Sequence, residues 1–212
     1  MNLEFEFIDT EKEFEPLVKK CDGILLTPGF GARGVEGMIK SAELSIEYQI
    51  PYLGICYGCQ LFYIAYMRKV MGLTGANTTE IDPKTPYPVV SMMDAQQKAI
   101  MIGGTMRLGG HKVKIEPGTK MYDAYQSTEI RERFRHRFHI NTQFLTKEAQ
   151  AKGLRVSAMD ETGKIVNALE LTGDHWMVGT QFHPEFNSRP NRPSPIYHAF
   201  VKAIIKRKTG KQ

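Results

Sequence analysis

The chain has 212 residues, 42% of them hydrophobic and 24% charged, which is the composition of an ordinary globular protein. A chain of this length can bury a sizeable core, and we expect a single domain over residues 1–212. No apolar run approaches the ~18 residues of a membrane span, and the first residues lack the pattern of a signal peptide. Three cysteines make no disulfide framework, so we expect a cytoplasmic protein without membrane contact.

The formal net charge is +5, and basic residues gather at Arg131–Arg137 and near the end of the chain from Lys202 onward. Such clusters can bind nucleic acid or another polyanion. No basic motif interleaved with aromatic residues accompanies them, so we do not expect nucleic acid as a partner. We interpret the terminal cluster as the solvated end of a helix.

The first third of the chain alternates between strand and helix patterns. The patterns predict a strand at Leu3–Asp9, a helix capped by Asp9 or Thr10 and ending at Val18, a strand at Gly23–Thr27 buried on both faces, a glycine-rich loop at Pro28–Gly37, and a helix from about Met38 to Tyr48. Strands that alternate with helices indicate an α/β fold with a mostly parallel central sheet flanked by helices.

From Gly75 onward the elements are shorter. Prolines punctuate Asp82–Pro88, which predicts an extended loop. Two segments, Met101–Gly110 and His111–Ile115, predict antiparallel strands with turns and therefore a small antiparallel sheet. The remaining predicted elements are a helix at Met121–Tyr125, strands at His136–Asn141, Leu154–Met159, Val166–Leu171 and Trp176–Phe182, and a helix from about Ile196 to Lys206.

The most informative stretch is Pro51–Phe62, in which a short apolar run stops at Cys56 and a helical pattern begins directly afterwards. Strand, sharp turn, nucleophile and helix make the geometry of a nucleophile elbow, here with cysteine as the nucleophile. Gly54 and Gly58 flank the turn and remove the Cβ atoms that would clash. The N-terminus of the following helix favours a thiolate. We therefore predict that Cys56 is an activated nucleophile.

A cysteine nucleophile needs a base and a group that orients the base. His183 follows an apolar strand, and Glu185 lies two residues later around a turn that Pro184 fixes. We predict that His183 is the base and that Glu185 holds its tautomer. Acyl transfer also needs an oxyanion hole, and we predict that the backbone N–H groups of Tyr57 and Gly29 form it.

These motifs resemble those of the triad, or class I, glutamine amidotransferases. The resemblance rests on Gly54–Gln60 and on Phe182–Phe186, and it narrows to the glutaminase domain of CTP synthases through further segments. Those segments follow the family order between about Asp22 and Val201 and are Gly29–Gly37, Gly75–Pro83, Gly103–Gly109, Arg131–Arg137 and His183–Pro190.

The resemblance implies a flavodoxin-like fold and a glutaminase in which Cys56 forms a γ-glutamyl thioester, His183 serves as base and acid, and Glu185 orients His183. It also implies that L-glutamine is bound by the positions Gly29, Tyr57, Gln60, Glu80 and Arg137. Glu80 suits the ammonium group of the substrate, and Arg137 suits its carboxylate. We expect no metal or cofactor in this domain, since ATP and magnesium would belong to an amidoligase domain that converts UTP to CTP. GTP would act as an activator through Phe30–Gly37.

Several features depart from the family pattern. A strand and helix that would precede Leu3 are missing, and that strand would sit centrally in the sheet. The loop reads Thr27-Pro-Gly-Phe-Gly31, Phe134 and His139 replace a histidine and a glutamate, and Cys59 replaces a methionine. Cys56 and Cys59 therefore also match the C-x-x-C redox motif. The missing strand further suggests that a homodimer covers the exposed sheet edge.

Three functions remain open at this point. The first is an active glutaminase, either a part of a CTP synthase or a separate subunit that works with an amidoligase. The second is a catalytically impaired homologue that binds or regulates an amidoligase. The third is a thiol hydrolase for another small amide or peptide, which Glu80 and Arg137 disfavour because they suit a free amino acid.

Overall fold

The computed structural model describes residues 3–92 and 106–210. The strands are β1 (Ile24–Leu26), β2 (Tyr52–Ile55), β3 (Ala76–Thr78), β4 (Tyr87–Met92), β5 (Arg107–Ile115), β6 (Glu129–His136), β7 (Phe138–Ile140), β8 (Leu154–Asp160), β9 (Val166–Leu171) and β10 (Met177–Thr180). The helices are α1 (Glu15–Val18), α2 (Val35–Tyr48), α3 (Tyr57–Lys69), α4 (Lys120–Tyr125), α5 (Lys147–Ala151) and α6 (Pro195–Thr209).

Seven strands form the central sheet in the order β1-β2-β10-β9-β8-β5-β6. β2 lies between β1 and β10 and runs parallel to both, whereas the other four pairings of this sheet are antiparallel. The predicted α/β class with a central sheet is confirmed. Its parallel portion is the three-stranded part, which holds the predicted elbow.

The central strands are covered on both faces, including β9, which contains Asn167 and Glu170. Every residue of β2, β9 and β10 is buried. Tyr52 packs in one hydrophobic cluster with residues of α2 and α3, whereas its neighbour Leu53 packs in a second cluster with Phe200 of α6. Because successive side chains of a strand point to opposite faces, these clusters lie on the two sides of the sheet.

Two predictions near the start of the chain are wrong. Leu3–Asp9 is not a strand, and Phe5 and Phe7 are 73% and 94% exposed. An alternating pattern forms a strand only where another backbone pairs with it, and this segment has no such pairing among the described residues. The first helix begins at Glu15, because the Asp9 side chain accepts from the backbone of Glu11 in a turn instead of capping a helix.

The strand predicted at Gly23–Thr27 is confirmed as β1, but it is not buried on both faces. β1 lies at the edge of the sheet, and Leu25 is 39% exposed. No described strand lies on the outer side of β1.

The second sheet has the order β3-β4-β7, with β3 and β4 parallel and β4 and β7 antiparallel. The strand predicted at His136–Asn141 is divided, because His136 ends β6 and β7 begins at Phe138. In the stretch Met101–Ile115, for which the sequence predicts antiparallel strands with turns, residues 107–115 form one continuous strand, β5, antiparallel to β6 and β8. The rest of that prediction, Met101–Thr105, lies outside the described residues.

The basic segment follows the alternation of an edge strand. Arg131, Arg133 and Arg135 are exposed, while the residues between them, Glu132 and Phe134, are buried. The backbone carbonyls of Arg133 and Arg135 in this strand contact the predicted site. Within residues 3–92 and 106–210, no helix has the length and apolar character needed to cross a membrane.

Candidate active site

The predicted elbow is confirmed in the backbone at Cys56. This residue has φ 54° and ψ −98°, a conformation that costs a non-glycine residue energy and is therefore concentrated at functional sites. Its N–H donates to the carbonyl of Thr180 at 2.7 Å. β2 ends at Ile55 immediately before it, and α3 begins at Tyr57 immediately after it.

The two flanking glycines are required by close backbone approaches. A Cβ atom on Gly58 would lie 2.4 Å from the carbonyl oxygen of Leu26, and one on Gly54 would lie 2.4 Å from the carbonyl oxygen of Gly58. Both distances are far below a van der Waals contact. The turn therefore tolerates hydrogen but not a methyl group at these two positions.

The sheet brings His183 to the elbow. β10 pairs with β2 in parallel, with Thr180 beside Ile55, so both strands end at the same edge of the sheet. The N–H of His183 donates to the carbonyl of Arg133 at 2.8 Å, and its Nδ1 lies 2.6 Å from Oε1 of Glu185. A carboxylate on Nδ1 leaves Nε2 as the nitrogen free for chemistry. Nε2 of His183 has no hydrogen-bond partner among the described residues.

The protonated form of His183 is stabilised by its neighbours. Burial opposes protonation, but interactions with Cys56 and Glu185 outweigh it and raise the pKa of His183 from 6.5 to about 9. The side chain of His183 is 6% exposed, so water screens these charges little. The imidazolium form of His183 is thus favoured near neutral pH.

Two further groups contact the sulfur of Cys56, which is 5% exposed. The thiol donates to the carbonyl of Arg135 at 3.7 Å, and Nε2 of Gln181 lies 3.8 Å from Sγ. The N-terminus of α3 begins at the next residue, and its positive dipole end favours a negative sulfur.

The two predicted oxyanion-hole residues lie together. A Cβ on Gly29 would be 3.3 Å from Cδ1 of the Tyr57 ring, and the Tyr57 hydroxyl donates to the carbonyl of Gly31 at 2.6 Å. As the first residue of α3, Tyr57 has a backbone N–H without an acceptor inside the helix. The tyrosine ring therefore ties the glycine-rich loop to the helix that follows the nucleophile.

Glu80 lies against the same loop. Its Oε1 accepts from the backbone N–H of Gly31 at 3.0 Å, so the carboxylate is held beside the predicted oxyanion hole. Burial and the charge of Glu80 raise the pKa of the Tyr57 hydroxyl, which therefore stays a donor to Gly31. The sequence predicts that Glu80 binds substrate. The structure shows in addition that Glu80 contacts the glycine-rich loop at Gly31.

The other two predicted binding residues differ in their surroundings. Arg137 is exposed in the short link between β6 and β7, and its side chain makes no hydrogen bond or ion pair with another described residue. Gln60 is 3% exposed, and its Nε2 donates to Phe138 and Gln181. Arg137 is thus available to an anion, whereas the amide nitrogen of Gln60 is engaged within the protein.

Comparison with known proteins gives the family. The family model described as Glutamine amidotransferase class-I matches residues 1–203. The chain belongs to this family. Among curated relatives, it is 44% identical to a CTP synthase of Sulfurisphaera tokodaii, over 92% of this chain and 36% of the relative. It is 46% identical to a CTP synthase of Thermomicrobium roseum, over 89% of this chain and 34% of the relative. The chain thus spans little more than a third of either relative.

Solved structures support the same family. The chain is similar to the glutaminase domain of the Trypanosoma brucei CTP synthase with bound acivicin, with a TM-score of 0.88 and 34% identity over 97% of this chain and 82% of that one. A putative GMP synthase subunit from Thermoplasma acidophilum has a TM-score of 0.62 at 18% identity, over 94% of this chain and 81% of that one, which is a likeness of fold alone.

Sequence reasoning missed a set of buried hydrogen bonds next to this amidotransferase site. Glu132, 3% exposed, accepts from the Tyr125 hydroxyl at 3.0 Å and from Nδ2 of Asn187 at 2.6 Å. Asn187 ends the short 3-10 helix Pro184–Asn187, which carries Glu185. The alternation of β6 could have shown that Glu132 points inward, but no local signal names its partners.

Cys59, the second cysteine of the C-x-x-C motif, lies in the buried interior. Cys59 is fully buried, and burial raises the pKa of its thiol far above the ordinary value, so its thiolate is strongly disfavoured. In the part of the chain that the structure describes, no group of three or more histidine, cysteine or acidic side chains could hold a metal ion.

Proposed function

We propose that this chain hydrolyses L-glutamine to glutamate and ammonia through a thioester on Cys56. One observation carries the proposal. The strained elbow of Cys56 lies beside an imidazole whose Nδ1 is 2.6 Å from a carboxylate and whose pKa Cys56 and Glu185 raise. This arrangement supplies a nucleophile, a proton carrier and an orienting group in one place. We further propose that residues 1–212 act as one glutaminase domain.

In the first half of the proposed reaction, the thiolate of Cys56 attacks the carbonyl carbon of the glutamine side-chain amide. The C–N double-bond character is lost, and negative charge develops on the amide oxygen. The backbone N–H groups of Gly29 and Tyr57 stabilise that oxygen. The imidazolium of His183 then donates its Nε2 proton to the amide nitrogen, and the C–N bond breaks. Ammonia departs, and a γ-glutamyl thioester remains on Cys56.

In the second half, neutral His183 accepts a proton from water at Nε2, and the oxygen of that water attacks the thioester carbonyl. The C–S bond breaks, its electron pair returns to Cys56 as a thiolate, and glutamate leaves. Glu185 stays ionised throughout and keeps the imidazole oriented. The enzyme thereby returns to the thiolate and imidazolium state with which it began.

The proposed substrate contacts include two residues of opposite charge. Glu80 binds the α-ammonium group, and Arg137, which is exposed and has no partner among the described residues, binds the α-carboxylate. Gln60 and the loop at Gly29 complete the substrate site. Free glutamine carries both of these charged groups, whereas a glutamine residue within a peptide lacks one or both.

We propose that the ammonia aminates UTP to CTP on an amidoligase domain or subunit. Support comes from the relatives named CTP synthase, of which this chain matches only about a third. ATP and magnesium would be bound by the amidoligase, and GTP would stimulate the glutaminase through Phe30–Gly37. A homodimer that covers the exposed edge at β1 is a further proposal, and a monomer by light scattering would count against it.

The alternative of an impaired homologue is not favoured. Nδ1 of His183 lies 2.6 Å from Oε1 of Glu185, and the Tyr57 hydroxyl donates to Gly31 in the loop despite the altered loop sequence.

The test is release of glutamate and ammonia from glutamine by the purified chain and by Cys56→Ala. We expect turnover by the wild type and loss of at least about 1,000-fold in the variant, since alanine lacks the sulfur that forms the proposed thioester. Turnover that persists in Cys56→Ala contradicts the proposal. Asparagine and glutamyl dipeptides serve as substrate controls, and preference for either of them over glutamine contradicts the proposed substrate site.

A further inference from the structure

The side-chain amide of Gln181 lies against the nucleophile and has no part in the predicted triad. Gln181 directly follows β10 and is completely buried. Its Nε2 is 3.4 Å from the carbonyl oxygen of Cys56 and 3.8 Å from Sγ of the same residue. Away from water, an N–H group this close to a charged sulfur interacts with it more strongly than at the surface.

A second amide fixes the orientation of Gln181. Nε2 of Gln60 donates to the carbonyl of Phe138 at 2.8 Å and to Oε1 of Gln181 at 3.1 Å. The carbonyl oxygens of Phe138 and Cys56 can only accept hydrogen bonds. Gln60 must therefore turn its NH2 group toward Phe138, which places the oxygen of Gln181 toward Gln60 and its NH2 group toward Cys56. Only this arrangement satisfies both amides.

The contacts of Cys56 make such a donor important. In the thiol form, Cys56 donates to the carbonyl of Arg135 at 3.7 Å. A thiolate cannot donate, and a carbonyl oxygen beside it is unfavourable. A donor on the sulfur favours the charged form, as hydrogen bonds to an ionised group do in general. The proposed reaction needs this charged form twice, before the attack and when the C–S bond breaks.

We propose that Gln181 is a catalytic residue that stabilises the thiolate of Cys56, and that Gln60 holds the Gln181 amide in the required orientation. Gln60 thus has a role inside the protein in addition to its predicted contact with glutamine. The inference rests on the proposed function only in taking Cys56 as the nucleophile. It does not depend on glutamine being the substrate.

The test is the pH dependence of Cys56 alkylation by iodoacetamide, with mass spectrometry to locate the label. Gln181→Met keeps the side-chain length and removes the donor, whereas Gln181→Glu keeps an oxygen for Gln60 and adds a negative charge. We expect the alkylation midpoint of Gln181→Met to move to higher pH, with alkylation about tenfold slower near pH 7. The alkylation midpoint of Gln181→Glu should move to still higher pH. Gln143→Glu, which adds the same charge at an exposed position, should match the wild type.

An unchanged alkylation profile in folded Gln181→Met overturns the proposal, because a merely structural residue would change stability and leave this profile in place. A measurement on the wild type covers the case in which the variants do not fold. The side-chain amide protons of Gln181, followed by NMR in isotope-labelled protein, should shift with pH at the alkylation midpoint, and this shift should vanish in Cys56→Ser. Constant resonances in the wild type overturn the proposal. If the shift is present but glutamine is not hydrolysed, the proposed function fails and this inference stands.

Discussion

At the residue scale, the protonation of His183 depends on its neighbours Cys56 and Glu185. His183 is nearly buried, so burial by itself would favour the neutral imidazole. Interactions with Cys56 and with Glu185 reverse that preference and raise the pKa of His183 to about 9. In the proposed reaction, the group that donates a proton to departing ammonia is therefore protonated near neutral pH before substrate binds.

This arrangement predicts a pH-dependent contribution of His183 to stability. The pKa of His183 is raised from the ordinary value of 6.5, which applies to the unfolded chain, to about 9 in the folded protein. The stabilisation of the fold by protonated His183 is therefore fully present below pH 6.5 and is lost as pH rises through about 9. The wild type should therefore exceed His183→Gln in free energy of unfolding by more near pH 6 than near pH 9.5. Urea denaturation at the two pH values measures this difference.

The control for this prediction is His198→Gln, which changes an exposed histidine on α6. Its difference from the wild type should vary little over the same pH range. A His183→Gln difference that stays constant or grows toward high pH would show that the imidazolium is not stabilised at this site.

At the scale of elements, the strand, turn and helix around Cys56 depend on backbone packing. α3 approaches β1 so closely that Gly58 has no room for a side chain. This close approach fixes the direction of α3, and with it the positions of the first N–H groups of the helix. The glycine is therefore a structural condition for both the elbow and the predicted oxyanion hole.

Gly58→Ala should lower the free energy of unfolding by about 2 kcal/mol or more, because the added methyl group meets backbone rather than a movable side chain. Gly110→Ala is the matched control, since its Cβ would meet only the flexible side chain of Arg131, at 3.1 Å. Thermal and urea unfolding measure both variants. Equal and small effects would show that the backbone at Leu26 can retreat from Gly58.

The elements that could be predicted from sequence carry their signal locally. β2 and β10 are continuous apolar runs, and the glycines around Cys56 mark the turn before α3. Leu3–Asp9 has an equally clear alternation but forms no strand, because pairing depends on a second backbone that no local pattern describes. The curve of the sheet into antiparallel strands beyond β10 likewise depends on contacts distant in sequence.

The site shows the same division. Cys56, His183 and Glu185 stand in short motifs with a recognisable chemical logic, so sequence reasoning could name them. Gln181 lies in one of those motifs, yet its contact with Gln60 spans 121 positions and depends on the orientation of two amides. Side-chain amides donate and accept equally well, so their partners follow only from the folded arrangement.

At the scale of the whole molecule, the candidate site lies where strands β2 and β10 of the central sheet end. The parallel pairing of β2 with β10 places Cys56 beside the segment that carries His183. The edge strand β6 adds the backbone contacts of Arg133 and Arg135, and the loop after β1 adds Gly29. Since these segments are distant in sequence, the site exists only in the folded chain.

The most direct measurement is labelling of the folded chain with a diazoketone analogue of L-glutamine, followed by mass spectrometry. It requires an assembled glutamine site and a reactive sulfur together. We expect about one label per chain, located on Cys56, with labelling slowed by glutamine and unaffected by asparagine. Labelling of Cys21 instead of Cys56, or labelling of Cys56 that glutamine does not slow, would contradict the claim that Cys56 is the nucleophile of a glutamine site.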